Sequence, residues 1–373
     1  MRPIKMVDLH AQYVRIKGEI DEAIQQVLVN GDFIQGADVK KFESSLGAFL
    51  GGKTHVISCA NGTDALQIAM MALGFQPGDE IIVPVHTYVA TAEAIALLRL
   101  VPVFVDVTED YFTIDISAIE KVITKKTVAI VPVHLYGQCA DMRSLLQIAR
   151  QHGLAVIEDA AQSLGADFIE DNQRKKAGTI GDIGTTSFFP SKNLGAYGDG
   201  GALFTHRADL AERLRMIATH GQKKKYHHEI VGVNSRLDTM QAAILSVKLK
   251  YLDHYAGKRA EVASYYDAHI LNTNIVLPAR APYSTHVFHQ YTIKVLKDRR
   301  DAMRDHLDQK GVPTMIYYPV PLHLQNAYRR EGFGPGSFPV TERLSSSVLS
   351  LPIHTEMDQD QLSYICDCIN DFQ

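Results

Sequence analysis

The sequence predicts an α/β fold: a largely parallel sheet covered by helices on both faces, followed by a smaller α+β unit. Three observations support this. Short β-rich runs alternate with helical stretches through the first half of the chain, and that alternation stops after about residue 245. The length, 373 residues, also exceeds what one small core organises.

THVISCANG precedes TDALQIAMMALG, DEIIVP precedes TAEAIALLRL, TVAIVPVHLYG precedes DMRSLLQIARQHG, and LAVIEDAAQSLGA follows. Strands separated by helices of this size need crossover connections, and crossovers give parallel pairing. GTTSFFPSKNLGAYGDGGALFT reads as two strands joined by an irregular glycine-rich turn. It lacks the G-x-G-x-x-G spacing of a dinucleotide site. Residues 241–268 read as one long helix with only Gly257 interrupting it. Beyond it come a strand in FHQYTIKVL, a helix in DRRDAMRDHLDQKG, a proline-rich connector and a last helix from about Asp358. The domain boundary falls within the long helix, giving a large domain at 1–248 and a small one at 249–373.

Composition narrows the function classes. Hydrophobic residues at 46% and charged residues at 21% are ordinary for a soluble domain. A net charge of −4 offers no basic footprint for nucleic acid. No apolar run reaches the ~18 residues of a membrane span, and MRPIKMVDLHAQY lacks a signal-peptide core. Cys59, Cys139, Cys366 and Cys368 have no paired zinc spacing and read as reduced thiols of a cytoplasmic protein. His227 and His228 have no carboxylate or cysteine at ligand spacing, so no metal is expected.

In open α/β sheets ligands gather at the carboxyl ends of strands. Cys59-Ala60-Asn61-Gly62-Thr63 follows one strand and opens a helix, offering N–H groups and a hydroxyl to a phosphate. Asn61 or Thr63 could equally be a simple helix cap. Asp159 ends the apolar run LAVIE, with Gln162 three residues on. Alone, a cap or an internal salt bridge is the more economical reading of that carboxylate. Lys192 sits in SFFPSKNLGAYGDGG, where a desolvated amine would become a nucleophile. Alone it would be a loop lysine. Together, a phosphate cradle, a strand-end carboxylate and a lysine on a tight turn are the parts pyridoxal phosphate requires.

The chain resembles the DegT/DnrJ/EryC1/StrS sugar aminotransferases through NGTDAL, TYVATAEAI, PVHLYGQCADM, VIEDAAQSLGA, SFFPSKNLGAYGDGGA, GVNSRLDTMQAAIL, YPVPLHLQNAY and LSLPIH. The resemblance implies a fold-type I, aspartate aminotransferase-like transferase with a mostly parallel seven-stranded sheet. It implies that Lys192 carries pyridoxal 5'-phosphate as a Schiff base, that Asp159 pairs with the pyridinium nitrogen, and that Gln162 bonds the phenolic oxygen. Tyr88 is expected on the ring, and Gly62, Thr63 and Ser187 at the phosphate. Asn234 is expected to reach the phosphate from a neighbouring subunit of a homodimer, with Arg236 on an anionic substrate group. KKKYHH, residues 223–228, could steer a diphosphate or be a solvated loop. Tyr317, Tyr318 and His323 are the candidate sugar contacts. Tyr317 stands where many relatives carry histidine, a departure that counts against the two tyrosines and makes His323 the better candidate. L-Glutamate is the expected amino donor. The sugar most resembled is UDP-2-acetamido-2-deoxy-3-oxo-D-glucuronate of surface polysaccharides; the C-terminal region also resembles enzymes of dTDP-3-keto-6-deoxyhexoses.

Overall fold

The computed structural model describes residues 2–329 and 332–373, and among these a seven-stranded sheet dominates. Its strands are β1 (His55–Cys59), β2 (Glu80–Pro84), β3 (Val101–Val105), β4 (Thr127–Ile130), β5 (Ala155–Asp159), β6 (Ile183–Ser187) and β7 (Gly201–Thr205). They lie in the order β1-β7-β6-β5-β4-β2-β3. Neighbours from β3 across to β6 pair in parallel. β7 runs antiparallel to both β6 and β1, because only the loop 188–200 joins it to β6. Alternation along β2 fills both faces: Ile81 and Val83 join one core cluster while Ile82 joins the other. No described helix is long and apolar enough to cross a membrane.

The second unit has a three-stranded antiparallel sheet, β8 (Ile275–Val276), β9 (Tyr291–Val295) and β10 (Val348–Leu351), with β9 in the middle. Helices Leu252–His269, Arg300–Gln309 and Gln359–Asn370 cover it around Tyr266, Tyr291, Met303 and Ile365. Two stretches cross between the units. Ile4 packs on this second core, whereas Leu322, Tyr328 and Phe338 join the core of the main sheet.

The long helix expected over 241–268 is two helices, Thr239–Leu249 and Leu252–His269. The break falls at Lys250-Tyr251, where Tyr251 N–H bonds the carbonyl of Lys248 at 3.0 Å, a tightened turn. Lys250 and the Tyr251 hydroxyl both reach Glu19, which anchors that turn. Gly257 lies inside the second helix without interrupting it. A glycine weakens a helix by only ~1 kcal/mol, less than tertiary anchoring decides.

The end of β5 is fixed by a fully buried carboxylate. Glu158 Oε1 accepts from the N–H groups of Ile180 and Gly181, both at 2.6 Å. Its Oε2 accepts from Gly178 N–H and His134 Nε2, both at 2.9 Å. Since His134 Nδ1 accepts from Ala140 N–H, the ring proton resides on Nε2. Four donors converge, so only a carboxylate satisfies them. Glu158→Gln would turn an amide NH₂ against two of these donors, and we expect a loss of roughly 2–4 kcal/mol in urea unfolding. An unchanged midpoint would contradict this.

Candidate active site

A cavity of about 680 Å³ opens at the carboxyl ends of the sheet strands. At one end, the register sets Cys59, Gly201 and Ser187 side by side. The helix Gly62–Leu73 starts immediately beyond, capped by Asn61, whose side chain accepts from Asp64 N–H at 2.8 Å. The cap leaves the Gly62 and Thr63 N–H groups without intrahelical acceptors at the positive end of the helix. A Cβ on Gly62 would lie 2.8 Å from the Cβ of Ser187, so glycine is what lets Ser187 close against this turn. Both readings of the NGT turn hold: it is a cap and it is an open amide cradle. Ser235 fastens it from behind, accepting from Ala60 N–H at 3.0 Å and donating to Asp64 at 2.6 Å.

Asp159 lies at the cavity floor, 7% exposed. One oxygen accepts from the Thr91 hydroxyl at 2.8 Å, the other from Ala161 N–H at 3.1 Å. A carboxylate accepts about four hydrogen bonds, so capacity remains for a cationic N–H. Thr91 escaped the sequence reading, although it stands on the first turn after Tyr88 in TYVATAEAI, a helix start aimed at the strand ends.

Gln162 is oriented by an unusual neighbour. Tyr136 has φ +60°, a region costly for a bulky residue, and this turns its N–H onto Gln162 Oε1 at 2.8 Å. The amide NH₂ therefore faces the cavity, donating to the Tyr318 hydroxyl at 3.1 Å. The Tyr136 hydroxyl donates to the Tyr317 carbonyl and so accepts from His86 Nε2 at 3.2 Å. Burial holds His86 down at about 4, so that ring is neutral. Tyr88 stands half-exposed at the cavity mouth, its ring centroid 5.8 Å from that of Tyr318.

Lys192 enters the cavity from the loop 188–200. The loop closes on itself: Lys192 N–H bonds the Phe189 carbonyl at 2.8 Å and Ala196 N–H the Phe188 carbonyl at 2.7 Å. A Cβ on Gly195 would fall 2.2 Å from the Pro190 carbonyl oxygen. That glycine therefore serves the loop's own fold. Lys248, itself buried, donates to the Gly195 carbonyl and lies 5.0 Å from the Tyr197 ring centre. Removal from water brings the Lys192 amine down to about 8, with Asp159 partly opposing the shift.

The cavity thus gathers Gly62, Thr63, Tyr88, Asp159, Gln162, Ser187, Lys192, Tyr317 and Tyr318 from distant parts of the sequence. Asn234 is exposed and Arg236 half-exposed, and neither lines the cavity of this chain. His323 is a correction. It is fully enclosed, with Nε2 3.1 Å from Glu342 and its ring 4.8 Å from Phe338, and it is absent from the cavity wall. The short turn Leu322–Leu324 drives it inward beside Leu322, so it is a core partner of Glu342 and no sugar contact of this cavity. Asp199, His289 and Gln290 line the cavity without having been singled out from sequence. KKKYHH forms an exposed hairpin, and no metal-binding cluster occurs among the described residues.

These residues fit pyridoxal phosphate. The open amides of Gly62 and Thr63 suit its phosphate, the spare acceptor capacity of Asp159 its ring nitrogen, and the Gln162 amide its phenolic oxygen. Lys192, with a lowered pKa, suits its aldehyde.

Comparison with known proteins agrees with this geometry. The model of the DegT/DnrJ/EryC1/StrS aminotransferase family matches residues 14–370. A Geobacillus stearothermophilus protein named pleiotropic regulatory protein is 45% identical, covering 99% of this chain and 98% of its own. UDP-2-acetamido-2-deoxy-3-oxo-D-glucuronate aminotransferase of Pseudomonas aeruginosa is 46% identical, covering 97% of this chain and 98% of its own. Among solved structures, S. venezuelae DesV in complex with a ketimine intermediate superposes with a TM-score of 0.95 at 41% identity. That match covers 100% of this chain and 98% of the other.

The lowered pKa makes a measurable claim about the cofactor-free protein. The Lys192 amine is about half deprotonated near pH 8 and mostly an ammonium ion below pH 7. Competitive acetylation read by mass spectrometry should show its reactivity rising through pH 8 and levelling above about pH 9. A rise that continues toward pH 10.5, like that of a surface lysine, would contradict the desolvation argument.

Proposed function

The chain belongs to the DegT/DnrJ/EryC1/StrS aminotransferase family, and from that premise we propose that it moves an amino group from L-glutamate to the 3-keto carbon of UDP-2-acetamido-2-deoxy-3-oxo-D-glucuronate. It is a sugar aminotransferase that depends on pyridoxal phosphate. The product would be a 2,3-diamino uronic acid unit for a bacterial surface polysaccharide such as O-antigen or capsule. The observation that carries the reading is the convergence of Lys192, Asp159, Gln162 and the Gly62-Thr63 turn on one cavity. The Pseudomonas relative supports the choice of sugar.

Gly62, Thr63 and Ser187 would hold the cofactor's phosphate, Asp159 its ring nitrogen, Gln162 its phenolic oxygen, and Tyr88 its face. When bound, the cofactor supplies an electron sink for the C–H bond that must break. Thr91 and Ala161 keep the Asp159 carboxylate in one rotamer, so its negative charge points at a fixed place. The Lys192 Nζ would hold the cofactor's aldehyde carbon. Once released, it takes the proton from the donor's α-carbon, and in the second half it serves the sugar carbon in the reverse sense. A pKa of about 8 lets the same nitrogen accept and return a proton near neutral pH. Tyr317 and Tyr318 would wall the sugar subsite.

Among the described residues Lys192 is the only lysine or arginine on the cavity wall. A uronate and a diphosphate need further cations, and Arg236 and Asn234 stand outside this chain's own cavity. We therefore propose a homodimer in which Asn234 and Arg236 of one copy complete the site of the other. If Arg236 does not reach the site, the lack of wall cations favours a second substrate, a dTDP-3-keto-6-deoxyhexose. Its sugar ring lacks the uronate's carboxylate, although its diphosphate still needs counter-charge. The name of the Geobacillus relative raises a regulatory, non-catalytic reading. The presence of both Lys192 and Asp159 in the cavity argues for turnover.

Glutamate offered with UDP- and dTDP-linked 3-keto sugars decides the substrate. The uronate should be aminated at least tenfold faster, as expected when a site's buried polar groups meet their partner. Faster turnover of the 6-deoxy sugar would reverse the assignment, and reaction of a 4-keto sugar alone would remove the C3 proposal. For the shared site, Lys192→Ala and Arg236→Ala should each be inactive alone. Mixed and re-assembled in equal amounts, they should recover about a quarter of wild-type activity, the fraction of sites that random pairing leaves intact. No recovery would place Arg236 outside the partner's site.

A further inference from the structure

The run Gly198-Asp199-Gly200-Gly201 carries a single side chain, and it is a carboxylate on the cavity wall. Asp199 is exposed, and among the described residues no hydrogen bond or ion pair engages it. The other two carboxylates of the wall are occupied. Asp64 accepts from Ser235, and Asp159 accepts from Thr91 and Ala161. On the proposed reaction the cavity admits anions, so a free carboxylate at its mouth is unfavourable unless a cation comes with it.

The backbone on both sides of Asp199 is fixed. Before it, Tyr197 N–H donates to Gln241 Oε1 at 2.9 Å. After it, a Cβ on Gly200 would lie 2.9 Å from Leu237 Cδ1, and one on Gly201 would lie 2.4 Å from the Asn61 carbonyl oxygen. Packing this close fixes where the Asp199 side chain leaves the chain, two residues from the contact with the Asn61-Gly62 turn.

Arg236 is the complementary case. It is half-exposed, and no described residue pairs with its guanidinium. Its neighbour Leu237 is buried against Gly200, which sets the Arg236 segment beside that of Asp199. Ser235 ties the same segment to the phosphate turn through Ala60 N–H and Asp64. Two opposite charges thus stand on adjoining segments, and within the chain they do not pair. In a two-fold dimer a contact of residue i with residue j is repeated as j with i. Charges this close together on one subunit can therefore meet their opposites twice near the axis.

We infer that Asp199 receives Arg236 of the partner subunit, as an ion pair made twice about the two-fold axis. Asp199 is then a positioning residue: its carboxylate takes one edge of the planar guanidinium, and the remaining N–H groups face the cavity. This rests on the reading in which Arg236 of one copy completes the site of the other.

Asp199→Lys and Arg236→Glu each set like charges against one another in both pairs of a homodimer. Dissociated and reassembled in equal amounts with pyridoxal phosphate, the two chains form heterodimers in which both pairs attract, one native and one reversed. Native mass spectrometry should count about nine-tenths heterodimers, against about half for random pairing, because like charges across an interface are costly. A pair made within each chain would repel in both variants whatever the partner, and would give about half. In the heterodimer, the Arg236→Glu chain keeps Asp199 and meets a native Arg236, so turnover should return to roughly half of wild type, one intact site in two. A random heterodimer fraction would overturn the inference, and heterodimers without recovered turnover would overturn the positioning role. Wild-type holoenzyme that stays monomeric would overturn instead the homodimer reading beneath it. If a reversed chain does not assemble, Asp199→Cys on one chain and Arg236→Cys on the other are treated with a short bismaleimide, the four native cysteines being buried. A cross-linked dimer supports the pair, and a dimeric mixture that does not cross-link overturns it.

Discussion

The site depends on the alternation of side chains at the carboxyl end of β5. Consecutive residues of a strand face opposite sides of the sheet, so Glu158 and Asp159 separate although they are neighbours in sequence. Glu158 turns inward to collect four donors and ties His134 and the 178–181 turn to the strand. Asp159 turns to the cavity with each oxygen singly bonded. One carboxylate is saturated and structural; the other is deliberately short of donors. Exchanging their environments would leave an unpaired charge in the core and a silent floor to the cavity.

Lys192 is governed by the complementary constraint. Desolvation lowers its pKa, while Asp159 opposes that shift only partly. Had the two formed a close ion pair, the amine would be held as ammonium and lost as a nucleophile. The loop keeps the amine in the cavity with its own backbone bonds, the Gly195 self-contact and the buried Lys248. The glycines that drew attention in this stretch act mainly within the protein, by letting the loop fold tightly.

Much of the fold was legible in the sequence because the relevant patterns are local. The βα alternation, the strand-loop-strand around Lys192 and the Asp358 cap of the last helix all lie within short windows. Lys192 and Asp159 were legible as residues misplaced for their type, one in a glycine-rich turn and one at the end of an apolar run. What escaped depends on contacts distant in sequence. Thr91 meets Asp159 across 68 positions, and Asn193 meets Val287 across 94. His323 was expected at the sugar because it follows the departure at Tyr317 in YYPVPLH, but Glu342 and the aromatic Phe338 give it partners inside the core. The helix break at Lys250-Tyr251 was hidden because its anchor, Glu19, lies more than two hundred residues earlier. Gly257 suggested a break where solvent surrounds the helix and nothing enforces one.

The cavity must take the phosphate of the cofactor and, on the proposed reaction, the carboxylates of glutamate and the diphosphate of a nucleotide. Lys192 is a poor standing counter-ion for these, because burial brings its pKa down to about 8 and leaves the amine neutral part of the time. For the cofactor's phosphate the wall offers amide N–H groups at a helix terminus, whose partial charge needs no titratable side chain and would not change during turnover. The remaining anionic groups require cations that are permanently charged. Arginine meets that need better than lysine, because its charge survives burial and its planar fork matches a carboxylate or phosphate. On the proposed reaction, a site that keeps its reactive lysine free of that duty would draw its fixed cations from beyond its own wall.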